Sequence, residues 1–200
     1  MRIFVTGFHR AGSKTIAEYI AKENSIPWIE EHVIGLWDFR RVIALVNGFE
    51  NFVLQCPFLA HKVKDLVWYG KVYWADRNHI DIITSMKNGN FKEDALIVLK
   101  FFHDEFPDDP YWKSAHFTDD ENIKNYFNLK EGEKFPQVNT NNLIKYYKLV
   151  VDVKKYFLKT KFKGTEIIRL ENLPIYDSSK HLSGKMPLKG WELDVISERV

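Results

Sequence analysis

The sequence predicts an α/β fold built as a three-layer sandwich around a central parallel sheet, and three observations carry that prediction. Through the first half of the chain, short β-branched or aromatic runs alternate with stretches of helical periodicity, as in βαβ units. A turn with two glycines, over residues 7–12, joins the first such run to an amphipathic stretch. The 200 residues, 45% of them hydrophobic, suffice for one substantial core. We therefore expect a single domain over residues 1–200.

Five strands are predicted, and helices follow the first four of them. The strands cover residues 2–7, 27–31, 51–56, 71–76 and 165–170. The helices cover residues 13–23, 36–46, 60–67 and 79–86, with two more over 92–106 and 143–159. Residues 107–142 and 177–190 contain several prolines and glycines and few aliphatic side chains, so they are predicted as loops. The domain is thus expected to carry a loop-rich insertion around residues 107–142.

Composition limits the classes of partner. The formal net charge is only +2, which gives no general electrostatic case for nucleic acid or an anionic membrane and fits small anionic ligands better. The single Cys56 cannot form an internal disulfide, and no Asn-x-Ser/Thr sequon occurs, so a reducing, cytoplasmic location is expected. The sequence shows neither a signal peptide nor an apolar run of membrane-spanning length. It leaves the oligomeric state open.

The turn after the first strand reads "GFHRAGSKT" over residues 7–15 and resembles a phosphate-binding loop. Gly7 and Gly12 have the spacing of the G-x-x-x-x-G-K-[ST] motif, but serine occupies the lysine position. Backbone N–H groups and the positive end of a helix dipole favour an anion at such a turn. The alternative is a tight turn in which the serine caps the helix. Side-chain donors for an anion come from Arg10, Ser13, Lys14 and Thr15.

Residues 9–15, "HRAGSKT", are similar to the 5′-phosphosulfate loop of the sulfotransferases, P-[KR]-[ST]-G-[ST]-[ST]. The resemblance implies a P-loop nucleotide-kinase-like fold and 3′-phosphoadenosine 5′-phosphosulfate as the sulfuryl donor, with 3′,5′-adenosine bisphosphate as product and no metal. It implies that Arg10 meets the bridging oxygen of the donor. The other loop residues implied to bind the donor are Ala11, Gly12, Ser13, Lys14 and Thr15. Ala11 and Lys14 replace hydroxyl residues of the family, and Thr15 stands where an aromatic residue often stacks on adenine.

A second motif lies about 70 residues further on. Residues 72–88, "VYWADRNHIDIITSMKN", resemble the family's 3′-phosphate element, R-[ND]-P-x-[DE]-[VI]-x-x-S, with His79 in place of the proline. The resemblance implies that Arg77 and Ser85 bind the 3′-phosphate. Because the carboxyl ends of parallel strands meet at one edge of a sheet, Arg77 is expected beside the first loop.

Two later segments resemble the family more weakly. "IIRLENL", residues 167–173, is similar to the late strand [VIL]-x-[YR]-[YF]-E-D-L. "KMPLKGW", residues 185–191, resembles the basic glycine loop that closes over the cofactor phosphate, which implies a binding role for Lys189 and Gly190.

Sulfuryl transfer also needs a base for the acceptor proton. Relatives use a glutamate after the second strand or a histidine after the third, and this chain has both. Glu30 and Glu31 are predicted to end the second strand with side chains on opposite faces, and His61 follows the third strand. We favour Glu31, with His32 as a further candidate. The acceptor, a small molecule or carbohydrate, is not readable from the sequence.

Two other functions compete with sulfuryl transfer. A degenerate nucleotide kinase or NTPase would use "KVYWAD", residues 71–76, as a strand ending in a magnesium ligand, Asp76. The serine at position 13 counts against it, because that motif needs lysine there. A non-catalytic adenine-nucleotide-binding module of the same fold is the third possibility.

Overall fold

In the computed structural model, the described residues are 1–8, 10–34, 39–88 and 163–177, with 130, 142, 144–148, 150, 151 and 154. The strands are β1 (Arg2–Gly7), β2 (Trp28–Glu30), β3 (Phe52–Gln55), β4 (Lys71–Asp76) and β5 (Thr165–Arg169). The α-helices are α1 (Ser13–Asn24), α2 (Glu31–Ile34), α3 (Phe39–Gly48), α4 (Val63–Leu66) and α5 (His79–Asn88). Two 3-10 segments cover Pro57–Lys62 and Leu170–Asn172.

The five strands form one sheet in the order β2-β3-β1-β4-β5, and every pairing is parallel. The predicted α/β class with a central parallel sheet is therefore confirmed. Opposite Gly7 of β1 lies Ala75 of β4, and opposite Asp76 of β4 lies Arg169 of β5. The chain leaves all five strands at one side of the sheet, which we call the carboxyl edge. The opposite side is the amino edge.

The sheet is covered on both faces. Four successive residues of β1, from Ile3 to Thr6, are buried, and this continuous burial is typical of a central parallel strand. Helix α1 leads from β1 towards β2, whereas the Pro57–Lys62 segment and α4 lead from β3 past β1 to β4. Because parallel crossovers are right-handed, connections running in opposite directions cover opposite faces. The result is the predicted three-layer arrangement.

Several predicted bounds differ from the observed ones by a few residues, and two of these differences change the type of element. Glu31 does not end the second strand, because β2 stops at Glu30 and Glu31 is the first residue of α2. The predicted helix over 60–67 is a 3-10 segment that starts at Pro57 and is followed by the four-residue α4. Proline fixes its own φ and favours the first helical position, and Leu59 departs from helical geometry with φ −99° and ψ 18°. The chain therefore turns earlier and more tightly than the apolar periodicity predicts.

The chain divides into two compact units. The first comprises Met1–Arg77 and Thr160–Asp177 and contains the whole sheet, and the second comprises Asn78–Lys159 and Ser178–Val200. A single domain over 1–200 stays a prediction. The predicted helix over 92–106 and nearly all of the predicted loops over 107–142 and 177–190 lie outside the described residues.

In the second unit, α5 begins after Asn78, whose side-chain carbonyl oxygen accepts the Ile80 N–H at 2.9 Å. The ring of His79 meets that of Tyr147 edge to face, with 5.1 Å between centroids. The described residues of the predicted 143–159 helix are helical at 144–148, 150, 151 and 154.

Candidate phosphate-binding site

Two glycines shape the loop between β1 and α1. Gly7 has φ 143°, and a Cβ there would lie 2.6 Å from the backbone oxygen of Ala75 on the neighbouring strand. Gly12 has φ 87°, and a Cβ there would lie 2.6 Å from Cδ2 of Leu170. Both positions combine a backbone conformation that side chains disfavour with a close neighbour. The first glycine holds the loop against β4, and the second holds it against the residues after β5.

The loop also contains a non-glycine residue with positive φ, Arg10, at 68°. A left-handed residue costs roughly 1–2 kcal/mol, and such strain is concentrated at functional sites. Gly12, not Ser13, is the N-cap of α1, and no side chain caps the helix. By helix geometry, the N–H groups of residues 13–15 have no carbonyl acceptor within α1. The helix start therefore offers several N–H donors, which suits a phosphate oxygen.

The side chain of Ser13 accepts a hydrogen bond from a residue outside the loop. Its side chain is buried, and its Oγ accepts a hydrogen bond from Nε2 of Gln55 at 3.3 Å. The same amide nitrogen donates to Oε1 of Glu31 at 3.4 Å, and Oε2 of Glu31 accepts the N–H of Phe58 at 3.1 Å. Because the serine oxygen is an acceptor here, its hydroxyl proton is left to donate. Gln55 thus joins the favoured base to the phosphate loop, a role that the sequence did not predict.

Lys14 and Glu30, predicted for separate roles, form an ion pair with 2.5 Å between Nζ and Oε1. Lys14 Nζ also lies 5.4 Å from the centre of the Trp28 ring, and Nδ1 of His32 lies 2.8 Å from Oε2 of Glu30. The hydrogen bond from Lys14 lowers the pKa of Glu30, and the hydrogen bond to Glu30 raises the pKa of Lys14. A carboxylate with a lowered pKa is a weaker base, so this pairing disfavours Glu30 as the proton acceptor.

Arg77 follows β4 and is only 4% exposed. Because Gly7 of β1 lies opposite Ala75 of β4, the Arg10 loop and Arg77 both start from the carboxyl edge, as the sequence predicts. Asp76, the last residue of β4, directly precedes Arg77, and its Oδ2 accepts the Nε–H of Arg169 at 3.2 Å. Ser85 is buried in α5 of the second unit.

The remaining predicted site residues have diverse surroundings. Ala11 and His61 are buried, whereas Thr15 is half-buried at the start of α1. Lys189 and Gly190 lie outside the described residues. Cys56 is buried in the first unit, and burial raises the pKa of its thiol well above the ordinary value, so the sulfur stays protonated.

Within the described ranges, no group of three or more histidine, cysteine or acidic side chains is arranged to hold a metal ion. Among the same residues, no helix has the length and apolar character needed to cross a membrane.

The strand order and the loop between β1 and α1 define the class of protein: an α/β chain with a five-stranded parallel sheet and a glycine-containing loop at its carboxyl edge. Two solved structures to which the chain is similar are shikimate kinases. That from Bacteroides thetaiotaomicron shares 13% identity, with a TM-score of 0.47 over 100% of this chain and 95% of its own. That from Aquifex aeolicus shares 18% identity, with a TM-score of 0.36 over 80% of this chain and 96% of its own.

At these identities and TM-scores, the likeness carries no argument about activity. No family model matches the chain, and no curated protein matches it. Membership of the sulfotransferase family therefore remains a resemblance in motifs.

Proposed function

We propose that the chain binds a phosphorylated adenine nucleotide at the β1–α1 loop and transfers a sulfuryl group from 3′-phosphoadenosine 5′-phosphosulfate. The observation that carries the proposal is the pair of arginines, Arg10 and Arg77, on neighbouring loops of the carboxyl edge. Two fixed cations suit a ligand with phosphate groups at two positions, because arginine donates charge-assisted and bidentate hydrogen bonds.

In this proposal the donor, when bound, supplies the sulfuryl group, and the chain supplies charge and orientation. Arg10, the Ser13 hydroxyl and the N–H groups at the start of α1 stabilise negative charge on the leaving phosphate and the moving sulfonate. Glu31 stays the favoured base, because two N–H donors fix the direction of its carboxylate. His61 is the second candidate for this role. The acceptor is a small molecule or carbohydrate, and we propose a cytoplasmic location from the cysteine content.

The second candidate function is phosphoryl transfer by a nucleotide kinase with a degenerate loop. Its support is the Gly7–Gly12 spacing and the buried Asp76 at the end of β4, beside β1. Three features weigh against it. Serine takes the place of the motif lysine, Lys14 is paired with Glu30, and Asp76 is bonded to an arginine. A non-catalytic nucleotide-binding module shares the same loop and differs only in lacking turnover.

Calorimetric titration with two nucleotides separates these functions. We expect 3′,5′-adenosine bisphosphate to bind without magnesium and to bind more tightly than ATP with magnesium. The reverse preference would favour the kinase and overturn the main proposal. Release of 3′,5′-adenosine bisphosphate from the sulfuryl donor, in the presence of an acceptor panel of sugars and phenols, separates a transferase from a binding module.

A further inference from the structure

The Asp76–Arg169 pair lies at the carboxyl edge and is asymmetric in burial. The Asp76 side chain is 5% exposed, whereas the Arg169 side chain is 58% exposed. Asp76 directly precedes Arg77, and its strand lies beside the strand that leads into the phosphate loop. A buried carboxylate therefore lies close to the place where the proposed function requires a polyanion.

An uncompensated carboxylate there would oppose binding, because like charges repel strongly where water is scarce. Proteins that bind nucleoside phosphates commonly solve this problem with a divalent cation between carboxylate and phosphate. In this chain the Nε–H of Arg169 bonds the carboxylate, and the two residues face each other across neighbouring strands. The positive charge that compensates Asp76 therefore lies on the neighbouring strand, β5.

We propose that Arg169 is a positioning residue that neutralises Asp76 and so makes nucleotide binding at the β1–α1 loop independent of magnesium. The proposal rests on the proposed function in that the loop must bind a nucleotide. It also explains why an acidic residue can stand next to Arg77 without weakening the anion site. Loss of Arg169 should remove this positive partner of the carboxylate and create a demand for a divalent cation.

The same two strands offer a matched control at their other end. Lys71 Nζ lies 3.0 Å from Glu166 Oε1 at the amino edge, and both side chains are exposed. Lys71→Gln removes an ion pair between β4 and β5 without touching the carboxyl edge. Any effect of strand pairing alone should appear equally in this variant.

The experiment titrates 3′,5′-adenosine bisphosphate into wild type, Arg169→Gln, Asp76→Asn/Arg169→Gln and Lys71→Gln, each with and without magnesium chloride. We expect Arg169→Gln to bind about 10-fold more weakly without magnesium, which is about 1.4 kcal/mol, and to recover when magnesium is added. The double variant should bind 3′,5′-adenosine bisphosphate as tightly as wild type, and its affinity should not depend on magnesium, because it carries neither charge. Lys71→Gln should match wild type under both conditions.

Two results would overturn the proposal: Arg169→Gln binding as tightly as wild type without magnesium, or a loss that neither magnesium nor the second substitution reverses. Thermal unfolding monitors folding of each variant, and Arg169→Lys, which retains the charge, replaces Arg169→Gln if the latter does not fold. In that case, Arg169→Lys binding that requires magnesium would also refute the proposal.

The same titrations keep the two proposals separable. A wild type that binds ATP and not the bisphosphate refutes the sulfuryl-transfer proposal, while the three variants still test Arg169 with ATP. A wild type that binds neither nucleotide nor inorganic pyrophosphate refutes both.

Discussion

The two ends of the β4–β5 strand pair carry ion pairs of the same kind in different surroundings. At the amino edge, Lys71 and Glu166 meet at 3.0 Å with side chains 44% and 62% exposed. At the carboxyl edge, Arg169 meets Asp76 at 3.2 Å, and the carboxylate is almost completely buried. Exposed pairs contribute little, whereas a buried carboxylate that loses its partner is costly. Burial and neighbours, rather than the presence of charge, therefore distinguish the candidate site from the rest of the sheet.

Other contacts also differ between the amino edge and the carboxyl edge of the sheet. At the amino edge, the Arg2 side chain bonds the carbonyl oxygen of Phe49, and the N-terminal amine bonds that of Glu50. These contacts join the start of β1 to the residues that precede β3. At the carboxyl edge, Gly7 and Gly12 hold the loop against two separate parts of the first unit. Substitutions of these two loop glycines should therefore have large effects.

The largest expected effect is that of Gly7→Ala. The new Cβ would lie 2.6 Å from the backbone oxygen of Ala75 at a φ of 143°, so either β1 or β4 must shift. Left-handed strain and overpacking together predict a loss of about 2–4 kcal/mol in the free energy of unfolding. Urea denaturation measures it.

Gly48→Ala is the control for this prediction. Gly48 is the last residue of α3, and a Cβ there would meet nothing within 4 Å. The control should change stability by less than about 1 kcal/mol, with alanine favoured for its helix propensity. Equal losses at the two glycines would contradict the tight contact between β1 and β4.

Arg77→Ala should weaken binding of 3′,5′-adenosine bisphosphate by about 2–4 kcal/mol, because it removes a charge-assisted and bidentate donor. Adenosine 5′-phosphosulfate, which lacks the 3′-phosphate, should bind the variant almost as tightly as it binds wild type. Calorimetry with both nucleotides measures the ratio of affinities, with Lys71→Ala at the amino edge as control. A variant that keeps the wild-type preference for the 3′-phosphorylated ligand would remove Arg77 from the proposed site.

Gln55→Leu tests the network beneath the loop. The substitution removes the Gln55 amide nitrogen that donates to Ser13 and Glu31. It should lower the free energy of unfolding by about 1–3 kcal/mol, since one buried and one half-buried acceptor each lose a hydrogen bond. Asn24→Leu is the matched amide at the far end of α1, where Nδ2 donates to the Ile20 carbonyl oxygen. The control should cost about 0.5–1.5 kcal/mol, the value of one ordinary hydrogen bond. A Gln55 variant no worse than its control would mean that the network does not stabilise the loop.

The sequence predicts the sheet and its loop well, because continuous apolar runs and glycine spacing are local signals. β1 and β4 have the predicted bounds, and the edge shared by Arg10 and Arg77 follows from parallel pairing alone. Glu31 is misplaced because no local signal separates the last strand residue from the first helix residue.

The partners of side chains are harder to predict, because they depend on long-range register. No local signal in the sequence assigns a partner to Gln55, and Arg169 stands only within a weakly similar strand motif. Their contacts with Ser13 and Asp76 join residues 42 and 93 positions apart along the chain. A list of ionisable residues at predicted strand ends would have included both Arg169 and Asp76, but not their pairing.

The smallest expected effect tests whether position in the sheet or burial determines how much an ion pair stabilises the fold. Lys14 and Glu30 lie at the carboxyl edge, yet Lys14 is 57% exposed, as in the amino-edge pair. The hydrogen bond from Lys14 lowers the pKa of Glu30 below its ordinary 4.5, so the stabilisation is complete above pH 4.5 and disappears as the pH falls through the lowered value. Lys14→Gln should thus be slightly less stable than wild type at pH 7, and the two should converge in acid. Denaturant titrations at pH 7 and below pH 4 measure this, with Lys22→Gln in the last turn of the same helix as control. A difference that persists in acid would mean that Lys14 stabilises the chain through packing on Trp28 rather than through charge.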